Sequence, residues 1–173
     1  MAIDTTVEYN PNPSSNIIPN MTSDTSPSGI CTASSIWYSC LPYTSFRKED
    51  KVPQGGWISH PYTTCWIAYE FPAATTVTGY SFTSIIQGLS YCPKDWTFEG
   101  TYDGETWEVL DSHNNFIQNT SRNCFPLANA ATYKKYKINM LNNTSGSTVS
   151  FSSIEFFGVE TKSVQCQAIG GSL

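Results

Sequence analysis

Two histidines, His60 and His113, are the only imidazoles in the chain, and neither lies in a recognisable catalytic signature. Serines are abundant, but no Gly-x-Ser-x-Gly turn exists to expose one as a nucleophile. A hydrolase built on paired carboxylates would draw on Glu70, Glu99, Asp103, Glu105, Glu108 or Asp111. Most of these fall on strand or turn positions whose alternation faces them to solvent. Six cysteines, Cys31, Cys40, Cys65, Cys92, Cys124 and Cys166, contain no C-x-x-C pair, which argues against zinc. The groups present point away from an enzyme and toward a binding or structural protein.

The elements that would carry a binding surface read as strands. In DWTFEG and TWEVL large apolar residues fall on alternate positions, and Asp103-Gly104 between them supplies a residue tolerant of positive φ, so the stretch Pro93 to Leu110 reads as a hairpin. WIAYEF places Ile67, Tyr69 and Phe71 on one face, VTGYSFTS pairs Tyr80 with Phe82, and ATYKKYKINML puts Tyr136, Ile138 and Met140 on one side. In VSFSSIEFFG the apolar phase shifts between Phe151 and Ile154, which predicts a bulge near Ser152-Ser153. No segment predicts a helix longer than a turn or two. The expected class is all-β, an antiparallel sandwich, with Trp66, Tyr69, Phe71, Phe82, Trp96, Phe98, Trp107 and Ile138 in its core.

Length and composition fit one such domain. The chain has 173 residues, of which 13% are charged and 14% aromatic. Its net charge of −5 argues against nucleic acid, since the one dense basic group, Lys134, Lys135 and Lys137, alternates around Tyr136 and Ile138 as a solvated strand face would. The start, MAIDTTVEYN, lacks the basic and apolar regions of a signal peptide, and no run approaches the roughly 20 apolar residues of a membrane helix. Synthesis in the cytosol is therefore expected. Sequons begin at Asn20, Asn119, Asn142 and Asn143, and matter only if a eukaryote secretes the chain. Three regions are expected: an extended arm over 1–30, the sandwich over 31–159, and an irregular Gly-rich tail over 160–173. The arm is either a free tail or, because Val7, Tyr9, Ile17, Ile18 and Met21 would be wasted on solvent, a segment docked on a partner.

The hairpin words resemble the discoidin family, the coagulation-factor C-type domains of the galactose-binding-like jelly-roll fold. Members carry a comparable Pro-x-x-Trp, here Pro93 to Trp96, a small-residue–Asp-Gly turn and a following Trp, here Trp107. The resemblance runs from MTSDTSPSGICTASS through TSFRKEDKVPQGGWIS and WIAYEFPAATTVTGYSFTS to ATYKKYKINML and VSFSSIEFFG, in the family's order. It implies about eight strands and a ligand surface on loops at one end of the sandwich. Carried over segment by segment, those loops are Trp37 to His60, Ile85 to Cys92 and Asn142 to Thr148.

The resemblance thereby implies Trp37, Tyr38, Tyr43, Arg47, His60, Tyr62 and Tyr91 as ligand-binding residues. Planar donors such as Arg and His suit sugar hydroxyls and a ring oxygen, and an aromatic ring suits the apolar C–H face of a pyranose. The same aromatics could instead plug the sandwich end. Where sugar-binding members hold calcium in an Asp-Gly-rich turn, this chain has RKEDKVPQGG; Glu49 and Asp50 could supply oxygen ligands, but Lys48 and Lys51 oppose a dication. The expectation is no resident cofactor, with calcium the one ion to consider. Lipid-binding members use apolar spikes beside basic residues; Ile85, Ile86 and Leu89 lack the basic company, which argues against membrane. Some members join the domain's ends by a disulfide, for which Cys31 and Cys166 could stand, the alternative being free thiols. The phrase IIPNMTSDTSPSGICTASS also resembles the lead-in to discoidin-like domains of bacteriophage particles and gut bacteria. The expected function is a non-catalytic virion or cell-surface component recognising a cell-surface glycan and meeting other particle proteins through its arm. A free-standing lectin-like module is the alternative, and a homo-oligomer stays open.

Overall fold

A computed structural model of the chain describes residues 10–47, 56–60, 64–84, 91–117, 121–143 and 148–159. Eight antiparallel strands are present among them: β1 (Ile30–Ala33), β2 (Trp57–Ile58), β3 (Cys65–Thr83), β4 (Pro93–Thr101), β5 (Glu108–His113), β6 (Asn123–Asn143), β7 (Ser150–Phe151) and β8 (Ser153–Val159). The only helical pieces described are short 3-10 turns at Pro13–Ser15 and Pro42–Phe46.

Two strands, β3 and β6, are too long to stay in one layer. Their register breaks between Glu70 and Thr75 and again between Val77 and Gly79, where four residues of β6, between Pro126 and Ala131, stand opposite the single Thr78 of β3. The first half of β3 lies between β1 and β6, and its second half between β8 and β6. The sheet thus bends over itself, and side chains from the two halves meet. Tyr80 of the second half of β3 stacks on Phe98 of β4 with centroids 4.2 Å apart, Phe82 meets Trp96 edge-on at 5.2 Å, and Phe156 of β8 meets Phe98 at 5.3 Å. Aromatic pairs of this kind add to what area burial alone supplies. The all-β sandwich is therefore the observed architecture.

The alternating runs behave as expected: Ile67, Tyr69, Phe71, Tyr80, Phe82, Trp96, Phe98, Tyr136, Ile138 and Met140 are all buried. Trp66 and Trp107 are not; both are half-buried. Trp107 lies on the outer face, where the Lys137 ammonium sits 3.9 Å from its ring centroid. Lys137 also pairs with Glu99 at 2.8 Å, so this lysine is no freely solvated charge. Burial alone would raise the Glu99 carboxyl, but hydrogen bonds from Lys137, Thr97 and Asn139 outweigh it and hold the group below its ordinary value.

The hairpin forms as the sequence predicts. Gly104 has φ +82°, and the Asp103 carboxylate accepts from the Glu105 and Thr106 amides at 2.8 Å each and from the Thr101 hydroxyl at 2.9 Å. The phase shift in VSFSSIEFFG has a different cause from a bulge. At Ser152 the chain leaves β7, which pairs only with β2, and enters β8, which pairs with β3. The Ser152 amide donates to the Thr83 carbonyl at 2.8 Å and secures the crossing.

Part of the expected arm belongs to the core. Ile18 and Met21 are fully buried and Ile17 nearly so, all within the cluster that contains Phe46, Tyr69 and Phe156. The Ile17 amide donates to the Phe156 carbonyl at 2.9 Å, and the Asn16 carboxamide oxygen accepts from the Phe156 and Ile18 amides. Three of the side chains assigned to a partner are spent inside the chain's own sandwich, because a non-periodic segment can still lay apolar groups over an open sheet edge. Val7 and Tyr9, the tail over 160–173, and Ile85, Ile86 and Leu89 lie outside the described residues.

Candidate functional site

One end of the sandwich gathers the segments that the resemblance singles out. Beyond the β2–β7 pair, the Ser59 amide donates to the Val149 carbonyl at 2.9 Å and the Val149 amide to the Ser59 hydroxyl at 2.8 Å. The Asn143 carboxamide donates to the Thr148 carbonyl at 3.0 Å, and Pro93 of β4 pairs with Asn143 of β6. These bonds place His60, Thr148 and Tyr91 at the same edge. The Trp37 amide donates to the Ile58 carbonyl at 2.9 Å and brings the first loop to it.

Trp37, Tyr38 and His60 form a contact group. The Trp37 ring meets Tyr38 edge-on at 5.0 Å and His60 at 5.4 Å. Trp37 is half-buried and His60 exposed, while Tyr38 is 85% exposed. Tyr38 also has φ +50°, a left-handed backbone that a bulky residue adopts only at a cost. The chain therefore holds an aromatic ring out in water, edge against a tryptophan, by a strained peptide.

Tyr43 and Arg47 form a second pair, with the guanidinium 5.8 Å from the tyrosine ring centroid. The turn Pro42–Phe46 positions them: the Tyr43 amide donates to Asp24 at 2.9 Å, the Ser45 hydroxyl donates to the Phe151 carbonyl at 2.6 Å, and Phe46 enters the core. Tyr43 packs partly against that core. The Arg47 Nε is buried without a hydrogen-bond partner among the described residues. Tyr91, two residues before β4, is 39% exposed. Tyr62, Glu49, Asp50 and Cys166 lie outside the described residues.

Cys31 is buried in β1, and that burial pushes its ionisation up; Cys166, the partner the resemblance implies for it, lies outside the described residues. Among the described residues no group of three or more His, Cys, Asp or Glu is placed to hold a metal ion. His113 is occupied by structure: it stacks on Trp96 at 4.6 Å and bonds Asp111 at 2.8 Å, and Asp111 in turn accepts from the Tyr80 hydroxyl at 2.9 Å. Sequence reasoning missed Ser35, which accepts the His60 amide at 3.0 Å and, through its carbonyl, the Trp57 indole at 2.8 Å. In a chain this rich in serine, nothing local distinguishes that residue.

Solved structures share this architecture. A Clostridium perfringens CBM32 module in complex with GalNAc-β-1,3-galactose superposes with a TM-score of 0.65 at 13% identity, over 75% of this chain and 94% of that one. The fold is galactose-binding-like. The family 32 CBM of C. perfringens NanJ, in complex with galactose, gives 0.64 at 10% identity over 75% of this chain and 93% of its own. Chitosan-binding module 1 of a Paenibacillus chitosanase/glucanase gives 0.64 at 17% identity over 83% and 98%. No family model matches the sequence, and no curated protein matches it significantly. At these identities the likeness concerns the discoidin-like fold and leaves the ligand to the chain's own residues.

Proposed function

We propose that the chain is a non-catalytic glycan-recognition module whose ligand rests on the loop end around Trp37, Tyr38 and His60, with Tyr43, Arg47 and Tyr91 at its border. The observation that carries this reading is Tyr38, an exposed ring on left-handed backbone braced by Trp37. A ring held that way offers a rigid platform for the C–H face of a pyranose, and His60 beside it supplies a polar partner for hydroxyls. Similar modules whose structures contain galactose-bearing ligands support the sugar class. On a glycan array, Tyr38→Ala should weaken binding about tenfold, as loss of one stacking contact of ~1.4 kcal/mol would. Binding that survives combined replacement of Arg47 and His60 by Ala would rule out this placement.

Display on a virion or another cell-facing surface is the finer part of the proposal, and a free-standing lectin-like module is its alternative. Gel filtration with light scattering separates them: a discrete oligomer or higher assembly favours the first, a clean monomer the second.

A further inference from the structure

A second concavity lies away from the loop end, between the edge strand β5 and the four-residue bulge of β6. It is a cleft of about 410 Å³, within the range of small-ligand sites. One wall is Glu108, Val109 and Leu110, the other the segment 128–132, and Tyr102 and Tyr133 close it. The bulge is anchored from beneath, because the buried Tyr136 hydroxyl lies between the Thr75 and Ala131 carbonyls, at 2.6 and 2.7 Å, and accepts the Tyr133 amide at 2.8 Å.

The aromatic end is built with equal care. A Cβ at Gly100 would lie 2.4 Å from the Tyr133 ring, so only glycine lets that ring rest on the β4 backbone. Tyr102, 62% exposed, meets Tyr133 at 4.9 Å, and the Tyr133 hydroxyl donates to Glu108. That bond, the largest cause, pushes the Tyr133 hydroxyl up to about 12, so it stays a donor and fixes the carboxylate. Beyond the Tyr102 hydroxyl and the Asn129 carboxamide, which both donate and accept, the cleft offers a surplus of acceptors in the other Glu108 oxygen and the lone pair of the Tyr133 hydroxyl. None of the lining residues is cationic.

We infer that this cleft is a second carbohydrate subsite, taking a sugar whose hydroxyls or amine donate to Glu108 while its apolar face packs on Tyr102. An acceptor-rich site without a cation selects neutral or amino sugars and repels acidic ones. It does not depend on the loop-end site, where the Arg47 guanidinium carries the opposite preference.

Amide chemical-shift mapping of the full chain by NMR tests this with three probes: chitotriose, lactose and sialyllactose. Chitotriose or lactose should move the amides of residues 128–132, and whichever moves them identifies the amine or the hydroxyl as the main donor. Glu108→Gln should weaken that binding about tenfold, and Tyr102→Ala should weaken it severalfold, both with unchanged circular dichroism and melting. The inference is overturned if no probe moves residues 128–132, if sialyllactose moves them as strongly, or if both folded variants bind as the parent does. Shifts confined to Trp37, Tyr38 and His60 would overturn it while supporting the loop-end site.

Discussion

Replacing Ile18 by Ala tests whether the N-terminal segment is an arm or a piece of the core. Ile18 is 0% exposed, as is Met21, and both contact a cluster shared with β3 and β8. Truncating one such side chain costs about 2–5 kcal/mol, since the lost transfer energy is joined by the energy of the cavity left behind. For a domain of this size each kcal/mol lowers the melting temperature by about 2–4 °C, so Ile18→Ala should melt roughly 4–20 °C lower. Ile117, 89% exposed, is the internal control, and its replacement by Ala should stay within about 0.5 kcal/mol. Deleting residues 1–27 removes Ile17, Ile18 and Met21 together. At about 1.5–3 kcal/mol for each buried side chain, that loss rivals the whole stability of an ordinary domain, about 5–15 kcal/mol. The deletion should therefore abolish a cooperative transition in urea followed by circular dichroism and tryptophan fluorescence. If the truncated chain melts within about 4 °C of the parent, the packing argument is wrong and the segment is an appendage.

The Glu99–Lys137 pair gives a second expectation. Glu99→Ala strands a lysine whose side chain is only 14% exposed and should cost about 3 kcal/mol, whereas the double change with Lys137→Met should cost less; a cycle with no coupling refutes the pairing. The carboxyl is held below its ordinary 4.5, so its contribution is intact above that pH and fades as pH falls below it, which urea midpoints across the acid range will show. The hairpin turn holds a second depressed carboxylate. Hydrogen bonds from the Thr106 and Glu105 amides hold Asp103 down at about 2, so its hold on the turn is complete above the ordinary 3.8 and disappears as pH falls through about 2. Exchange of the Glu105 and Thr106 amides should accelerate there; protection that persists after Asp103→Ala shows the turn does not need it.

Regular strands were legible because a two-residue period survives in the sequence: Ile67, Tyr69 and Phe71 on β3, and Tyr136, Ile138 and Met140 on β6, reach the core as that period demands. The same period should have kept Trp66 outside, since it is out of phase with Ile67. Phase prevails over the size and apolarity of the side chain, and the indole is half-buried. Trp107 escaped for another reason: a lysine two strands away covers it, and cross-strand partners cannot be paired until the register is known. Ile17, Ile18 and Met21 follow no period at all, so the pattern that identifies strands is silent on a segment that covers a sheet without joining it. Around the loop end, only the resemblance pointed to Trp37, Tyr38 and His60. The left-handed turn that exposes Tyr38 has no residue signature when the residue is not Gly or Asn.

Because β3 and β6 each contribute to both halves of the bent sheet, neither half can melt while the other stays native. Opening the outer layer at β8 also frees the strand that pairs with β1, and most of the contacts that hold the layers join residues far apart in the chain. Amide exchange across β3, β4 and β6 should then report one nearly uniform opening energy, with graded protection restricted to β1, β5 and the loops. Such a body transmits pulling force as a unit.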